Sequence, residues 1–239
     1  MSQIIDHLKD GLVVSCYADN VINEYLDDPV VMAAVARSCE AGGAVAIRTN
    51  LEHVKKIKKG VSIPVIGIKK IYKYGDIKDA EFRITPTLNE VELLIEAGAD
   101  AIAIDGTKRK RFDHLTLEDF IKAIKSRWNV PVIADISTLE EGLQAWEYGA
   151  DMIGTTLSGY TSYSRHPIKF GELPLPDPDY ELISELRKNG VRYVVAEGRI
   201  NNGFKMRLAL EAGAHCVVIG TSITEPKKIV KTILLEKNT

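Results

Sequence analysis

One local design recurs five times along this chain: a helix-like stretch, a glycine, then a short apolar run that closes on a polar residue. The copies are EAGGAVAIR (40–48), EAGADAIAID (96–105), EYGADMIGT (147–155), KNGVRYVVAEG (188–198) and EAGAHCVVIGT (211–221). A glycine at that junction suits the residue just past a helix end, where the backbone turns left-handed. The apolar runs do not alternate with period two. Strands covered on both faces read that way, so the repeats predict a parallel sheet wrapped by helices. Three more runs, LVVSC (12–16), PVIGIK (64–69) and PVIADI (131–136), fit as strands, with Pro64 and Pro131 at the first position. Strands are thus expected to start near residues 12, 44, 64, 101, 131, 152, 193 and 217. Helical spacing fills the gaps, through Val31, Ala34, Val35 and Ser38; Val91, Leu94, Ile95 and Gly98; Leu117, Phe120, Ile121, Ile124 and Trp128; Ile183, Leu186 and Arg187; and Ile229, Val230, Ile233 and Leu234.

Eight strand–helix units in 239 residues predict an α/β fold of the (β/α)8 TIM-barrel type, a single domain over 1–239. An open doubly wound sheet usually carries a glycine-rich first turn, and here that turn reads SCYADN. The stretch GELPLPDP (171–178) reads as a loop, either a lid or a surface excursion. With 31 basic and 33 acidic side chains, the chain lacks the basic field of a general nucleic-acid binder. It has neither an apolar run long enough to span a bilayer nor a basic, apolar N-terminal leader, so a cytoplasmic location is expected. Cys16, Cys39 and Cys216 are odd in number and far apart, and the five histidines lack metal-ligand spacing, so neither a disulfide framework nor a metal is expected. His166, in a polar loop, is the one histidine placed near the rim.

Barrel chemistry sits at the C-terminal strand ends. In order those ends offer Ser15, Arg48, Lys70, Asp105, Asp135, Thr155 with Thr156, Glu197, and Gly220 with Thr221. So many ionisable groups are costly in a purely structural rim. Lys70 is the candidate proton shuttle or Schiff-base amine, with Arg48 and Lys69 as neighbours able to depress its pKa; by strand alternation Lys69 itself points the other way. Glu197 can act as an acid or bind a hydroxyl, or pair with Arg199. Asp105 and Asp135 can each orient a lysine or a sugar hydroxyl, or cap a helix. Ser15 and Thr155 are candidate substrate contacts. The turns EGRINNG (197–203) and IGTSITEP (219–226) follow the last two strands, where barrels hold phosphate, and make Gly198, Gly220, Thr221 and Ser222 candidate donors. The run KRKR (108–111) reads as a solvated rim patch that steers anions.

The stretches GLVVSC (11–16), GGAVAIR (42–48), PVIGIKK (64–70), ITPT (84–87), DGTKR (105–109), ADISTLEEG (134–142), IGTTLSGYTSY (153–163), AEGRI (196–200) and HCVVIGTSIT (215–224) resemble the N-acetylmannosamine-6-phosphate 2-epimerase family of bacterial sialic-acid catabolism. They run in order over nearly the whole chain. The resemblance implies a (β/α)8 fold and cofactor-free interconversion of N-acetylmannosamine 6-phosphate and N-acetylglucosamine 6-phosphate. It also implies Lys70 as the acid/base at C2, Glu197 as a sugar-binding carboxylate, Arg48 and Asp135 as substrate-holding residues, and Gly198 and Gly220 near the phosphate. The expected partner is a phosphorylated amino sugar, and a homodimer is left open. Three places depart from the family's usual pattern. Tyr17 replaces a glutamine, Ile71-Tyr72-Lys73 replaces Arg-Asp-Tyr after the lysine, and Glu225 replaces an arginine. They keep open a second reading, a non-catalytic or altered-substrate sugar-phosphate-binding barrel. A Schiff-base lyase using Lys70 is the third.

Overall fold

The structure, a computed structural model, describes residues 2–72, 82–168 and 176–237. Its strands are β1 (Leu12–Cys16), β2 (Ala46–Asn50), β3 (Val65–Ile68), β4 (Lys70–Tyr72), β5 (Phe82–Ile84), β6 (Ala101–Asp105), β7 (Val132–Asp135), β8 (Met152–Gly154), β9 (Val194–Glu197) and β10 (Cys216–Ile219). Its α-helices are α1 (Ser2–His7), α2 (Pro29–Ala41), α3 (Leu51–Lys58), α4 (Leu88–Glu96), α5 (Leu117–Arg127), α6 (Leu139–Glu147), α7 (Tyr180–Lys188), α8 (Gly203–Glu211), α9 (Thr221–Thr224) and α10 (Pro226–Glu236). Eight strands close into a barrel in the order β1-β10-β9-β8-β7-β6-β3-β2, and every pairing round the ring is parallel. This is the expected (β/α)8 barrel, with each barrel strand starting within two residues of its expected place. The five repeat glycines, Gly43, Gly98, Gly149, Gly190 and Gly213, have φ between 92° and 107°, the left-handed turn that ends each helix and aims the chain at the next strand.

Strand side chains divide between two cores by alternation. Val14, Cys16, Ile47, Val65, Ile102, Ile104, Val132, Ala134, Ile153, Val194, Ala196 and Val217 pack outward against the helices. Val13, Ala46, Ile66, Ile68, Ala101, Ala103, Ile133, Met152, Val195, Cys216 and Val218 fill the barrel, with Ile5 and Leu8 of the N-terminal segment packed into the same cluster. One step further along the inward face, two residues past this apolar layer, stand Ser15, Arg48, Asp105, Asp135 and Glu197. A packed barrel leaves no route through its centre, and the polar layer therefore opens only toward the C-terminal strand ends.

Three expectations need correction. Lys70 does not end the third strand. That strand stops at Ile68, and Lys70 opens a two-stranded antiparallel excursion, β4 with β5, in which Lys70 pairs with Ile84 and Tyr72 with Phe82. Helix α2 buries Met32, Ala33 and Ala36, whereas Val31 is exposed. In an alanine-rich helix two adjacent stripes fit the same period, and the small Ala33/Ala36 side is the one that lies flush on the barrel. On α10, Val230, Ile233 and Leu234 are exposed although the period is right. Periodicity finds an apolar stripe without showing what covers it.

Candidate active site

Alternation brings Arg48, Asp135 and Glu197 to one point inside the mouth. Arg48, 1 % exposed, sits in the middle of β2 with its guanidinium turned inward. Its Nη2 is 2.5 Å from Asp135 Oδ2, and Nη1 is 3.0 Å from Glu197 Oε2. Burial alone would lower the guanidinium pKa, but the Asp135 and Glu197 charges more than reverse that, so Arg48 is a fixed cation. Thr156 Oγ1 lies 2.6 Å from Asp135 Oδ1 and 3.1 Å from Glu197 Oε2, bridging the two carboxyl groups. Gly154 leaves room for this cluster: a Cβ there would stand 2.5 Å from Asp135 Oδ1. Burial raises the Glu197 pKa and the Asp135 charge adds to it, while Arg48, Lys70 and Thr156 pull it down; the net direction is up. Glu197 therefore keeps its proton to higher pH than an ordinary glutamate.

Lys70 faces this cluster from β4. Its Nζ lies 4.2 Å from the centroid of the Tyr17 ring and 5.2 Å from that of Phe82. Desolvation lowers its pKa to about 8. The positive charges of Arg48 and Lys228 act the same way, while Asp19 and Glu197 oppose them. A lysine amine with a pKa near ~7–8 is the state suited to general-base work. Of the two neighbours expected to depress it, Arg48 does so. Lys69 turns away as alternation requires and pairs with Glu52 on α3.

The other candidates divide. Ser15 is buried beside Gly220, where an added Cβ would come 3.1 Å from Ser15 Cβ, and the Ser15 carbonyl accepts a bond from Thr224 Oγ1 at 2.8 Å. Thr155 has the wrong parity: its hydroxyl donates to the Glu197 carbonyl at 3.0 Å and accepts from the Glu197 N–H at 3.1 Å. It fastens β8 to β9, and Thr156 is the threonine that meets the carboxylates. Gly198 has φ 115°. Gly220 is the residue before α9, Thr221 is exposed, and the buried Ser222 Oγ has no hydrogen-bond partner among the described residues. Glu225 is buried, with its carboxylate 3.3 Å from Lys228 Nζ. Arg199 is committed elsewhere, donating to the carbonyls of Ser158 at 2.6 Å and Asp177 at 3.1 Å. Lys73 and residues 171–175 of the proline-rich loop lie outside the described residues.

Asp105 does not reach toward Lys70. It braces its own loop, accepting from Thr107 N at 3.1 Å and from Arg109 Nη2 at 2.6 Å. KRKR is a solvated patch only in part: Lys108 and Lys110 are exposed and Arg109 is half-buried. Arg111 is buried against the Phe120 ring, 3.6 Å from its centroid, and donates to the carbonyls of Asp105 and Pro86. The segment carries alternating roles that a count of charges does not separate. Glu141, on α6, is a further group that reading the strand ends misses; its sequence signal is the capping box Thr138-x-x-Glu141, in which its carboxylate accepts from the Thr138 N–H at 3.2 Å. It is 1 % exposed and accepts from Lys108 N, Ser137 N and Tyr163 OH, tying together the loops after β6, β7 and β8. His166 is exposed. Among the described residues no three His, Cys, Asp or Glu side chains are grouped to hold a metal, and no helix is long and apolar enough to cross a membrane.

Residues 32–237 match a family model described as "Putative N-acetylmannosamine-6-phosphate epimerase". The chain belongs to this family. A curated relative from Caldanaerobacter subterraneus subsp. tengcongensis, called a putative N-acetylmannosamine-6-phosphate 2-epimerase, is 48% identical over 232 residues, covering 95% of this chain and 91% of the relative. One of the same description from Cutibacterium acnes is 46% identical over 231 residues, covering 95% and 93%. The solved N-acetylmannosamine-6-phosphate 2-epimerase from Clostridium perfringens superposes with a TM-score of 0.86 at 37% identity, covering 97% of this chain and 95% of that one. A thiamine phosphate pyrophosphorylase from Pyrococcus furiosus shares the fold alone, with a TM-score of 0.59 at 17% identity.

Proposed function

We propose that this member of the epimerase family interconverts N-acetylmannosamine 6-phosphate and N-acetylglucosamine 6-phosphate by removing and returning the proton at C2. The single observation that carries the reading is a lysine amine resting on the Tyr17 and Phe82 rings beside the Arg48–Asp135–Glu197 cluster, where desolvation brings its pKa to about 8. In the ring-opened sugar C2 lies beside the C1 carbonyl. The neutral Lys70 amine takes the C2 proton; the C–H electrons form the C1–C2 double bond, and the carbonyl pair moves to O1. Arg48 supplies positive charge for that oxygen as it develops, a preorganised electrostatic effect of the kind that dominates many enzyme rates. Glu197, its pKa raised by burial, is suited to bind a sugar hydroxyl or to help open the ring. The intermediate then turns its other face toward Lys70; the O1 pair re-forms the C1 carbonyl, the C1–C2 double-bond electrons take the proton from the Lys70 ammonium at C2, and the configuration inverts.

Gly198, Gly220, Thr221 and Ser222 are the proposed phosphate donors, the unpartnered Ser222 hydroxyl being the most direct sign of a ligand. Lys228 offsets the Glu225 charge beside them. Ser15 lines the mouth next to Gly220.

The test is N-acetylmannosamine 6-phosphate in heavy water, followed by proton NMR. The expected result is N-acetylglucosamine 6-phosphate bearing deuterium at C2, with Lys70→Ala slowing exchange by ~10²–10⁴-fold, the usual contribution of a general base. A wild-type enzyme that exchanges no C2 proton removes the activity. Full exchange in Lys70→Ala removes the base. Borohydride trapping of substrate on Lys70 would favour the lyase reading.

A further inference from the structure

Lys70 is held by a structure that starts one loop away. Tyr17, the residue after β1, donates its hydroxyl to Asp19 Oδ2 at 2.6 Å. Tyr72, on β4, donates to the same oxygen at 2.7 Å. The other oxygen, Oδ1, accepts the backbone N–H groups of Val21 and Ile22 at 2.9 and 2.6 Å. Asp19 and Tyr17 are both buried, 6% and 7% exposed. One carboxylate therefore joins the β1 loop to the β4–β5 excursion and fixes the plane of the ring on which the Lys70 amine rests. Burial pushes the Asp19 carboxyl up, but the two tyrosine hydroxyls and the backbone N–H groups bring it below the usual range, so it is charged at neutral pH. The same two tyrosines stand at two of the positions where the sequence departs from the family's usual pattern. Asp19 is the feature that makes those two departures a single unit.

We propose that Asp19 is a positioning residue for Lys70: through Tyr17 and Tyr72 it sets where the amine lies, and through its own charge it sets the pH range over which that amine accepts a proton. The proposal rests on the reading of Lys70 as the C2 base. The chemistry favours an aromatic bed in this place. A ring face stabilises the ammonium formed when the C2 proton arrives, without offering an oxygen that would draw the proton away. The ammonium N–H stays available for return to carbon. The charged and titratable groups around Lys70 are Tyr17 and Asp19 from the loop after β1, Arg48 from β2, Tyr72 from β4, Glu197 from β9 and Lys228 from α10. Arg48 and Lys228 disfavour the ammonium. Asp19 and Glu197 favour it.

The experiment is the pH profile of kcat and kcat/KM for C2 exchange in wild type, Asp19→Asn and the double variant Tyr17→Phe/Tyr72→Phe, with folding checked by circular dichroism. Removing the Asp19 charge removes an attraction that favours the ammonium, so the rising limb of the profile moves to lower pH, by about half a unit or more. The double variant keeps both rings and the carboxylate charge but frees Asp19 from them, and is expected to lower kcat by ~3–10-fold with KM within about twofold. A residue that merely supported the loop would leave the limb where it is. A folded Asp19→Asn enzyme with the wild-type midpoint overturns the proposal. Should that variant not fold, wild-type kcat in the double tyrosine variant overturns it instead. Exchange that survives in Lys70→Ala fails the base assignment itself, a result separate from either.

Discussion

The two sides of the barrel mouth hold charge differently. On one side Arg48, Asp135 and Glu197 project from barrel strands and Thr156 from two residues past one, and they meet at 2.5–3.1 Å. On the other side Lys70 stands on a short excursion outside the barrel ladder, resting on aromatic rings with carboxylates at longer range. The first side is closed electrostatically: each ion has an opposite partner, and the arginine pKa rises. The second is left open, and the lysine pKa falls to about 8. A proton carrier has to sit where neither protonation state is strongly preferred, and a fully paired lysine would stay charged.

The largest expected effect breaks the paired side. Arg48→Met leaves Asp135, fully buried, and Glu197 without their cation. Loss of one partner in such a pair costs about 3–5 kcal/mol, so chemical denaturation should show the midpoint falling sharply. Lys70→Met on the open side should do the reverse. The folded lysine titrates near 8 and the unfolded one near its ordinary value, so between those limits the unfolded state binds more protons. Wild-type stability attributable to this group therefore rises as pH climbs from about 8 toward 10.5, and at pH 7 the partly desolvated ammonium is a cost. Lys70→Met is expected to gain roughly 1–3 kcal/mol at pH 7, and its advantage should shrink at high pH. Equal destabilisation by the two substitutions would dissolve the contrast. The smallest effect sharpens it. Thr156→Val removes the hydroxyl shared by two carboxyl groups and should cost about 1 kcal/mol in thermal unfolding while leaving the midpoint of the Lys70 limb in place.

Much of the site is legible in the sequence because the period of a strand is two. Ser15, Arg48, Asp135 and Glu197 lie at inward positions just beyond apolar inward neighbours, so reading the strand ends is enough to collect them. The same rule, applied one residue off, yields Thr155 in place of Thr156. Lys70 is recognisable by its residue type and place in the motif, although its strand stops two residues earlier. Asp19 and Glu141 escape such a reading. Each lies outside the strands, Asp19 in a loop and Glu141 on a helix, and each matters through bonds to segments distant in sequence, Tyr72 in one case and Lys108 and Tyr163 in the other. No local pattern encodes those meetings.

Taken alone, the sequence determined the eight strands, the left-handed glycine turns between helix and strand, and the residue types that reach the mouth. Those follow from short-range causes: apolar periodicity, backbone sterics at glycine, and alternation along a strand. Only the tertiary structure decided which ions pair, which arginines of KRKR are buried, which side of α2 faces the barrel, and that a carboxylate from the β1 loop and a tyrosine from β4 converge beside the lysine. Those depend on distances between segments far apart in the chain, and such distances are set when the barrel closes.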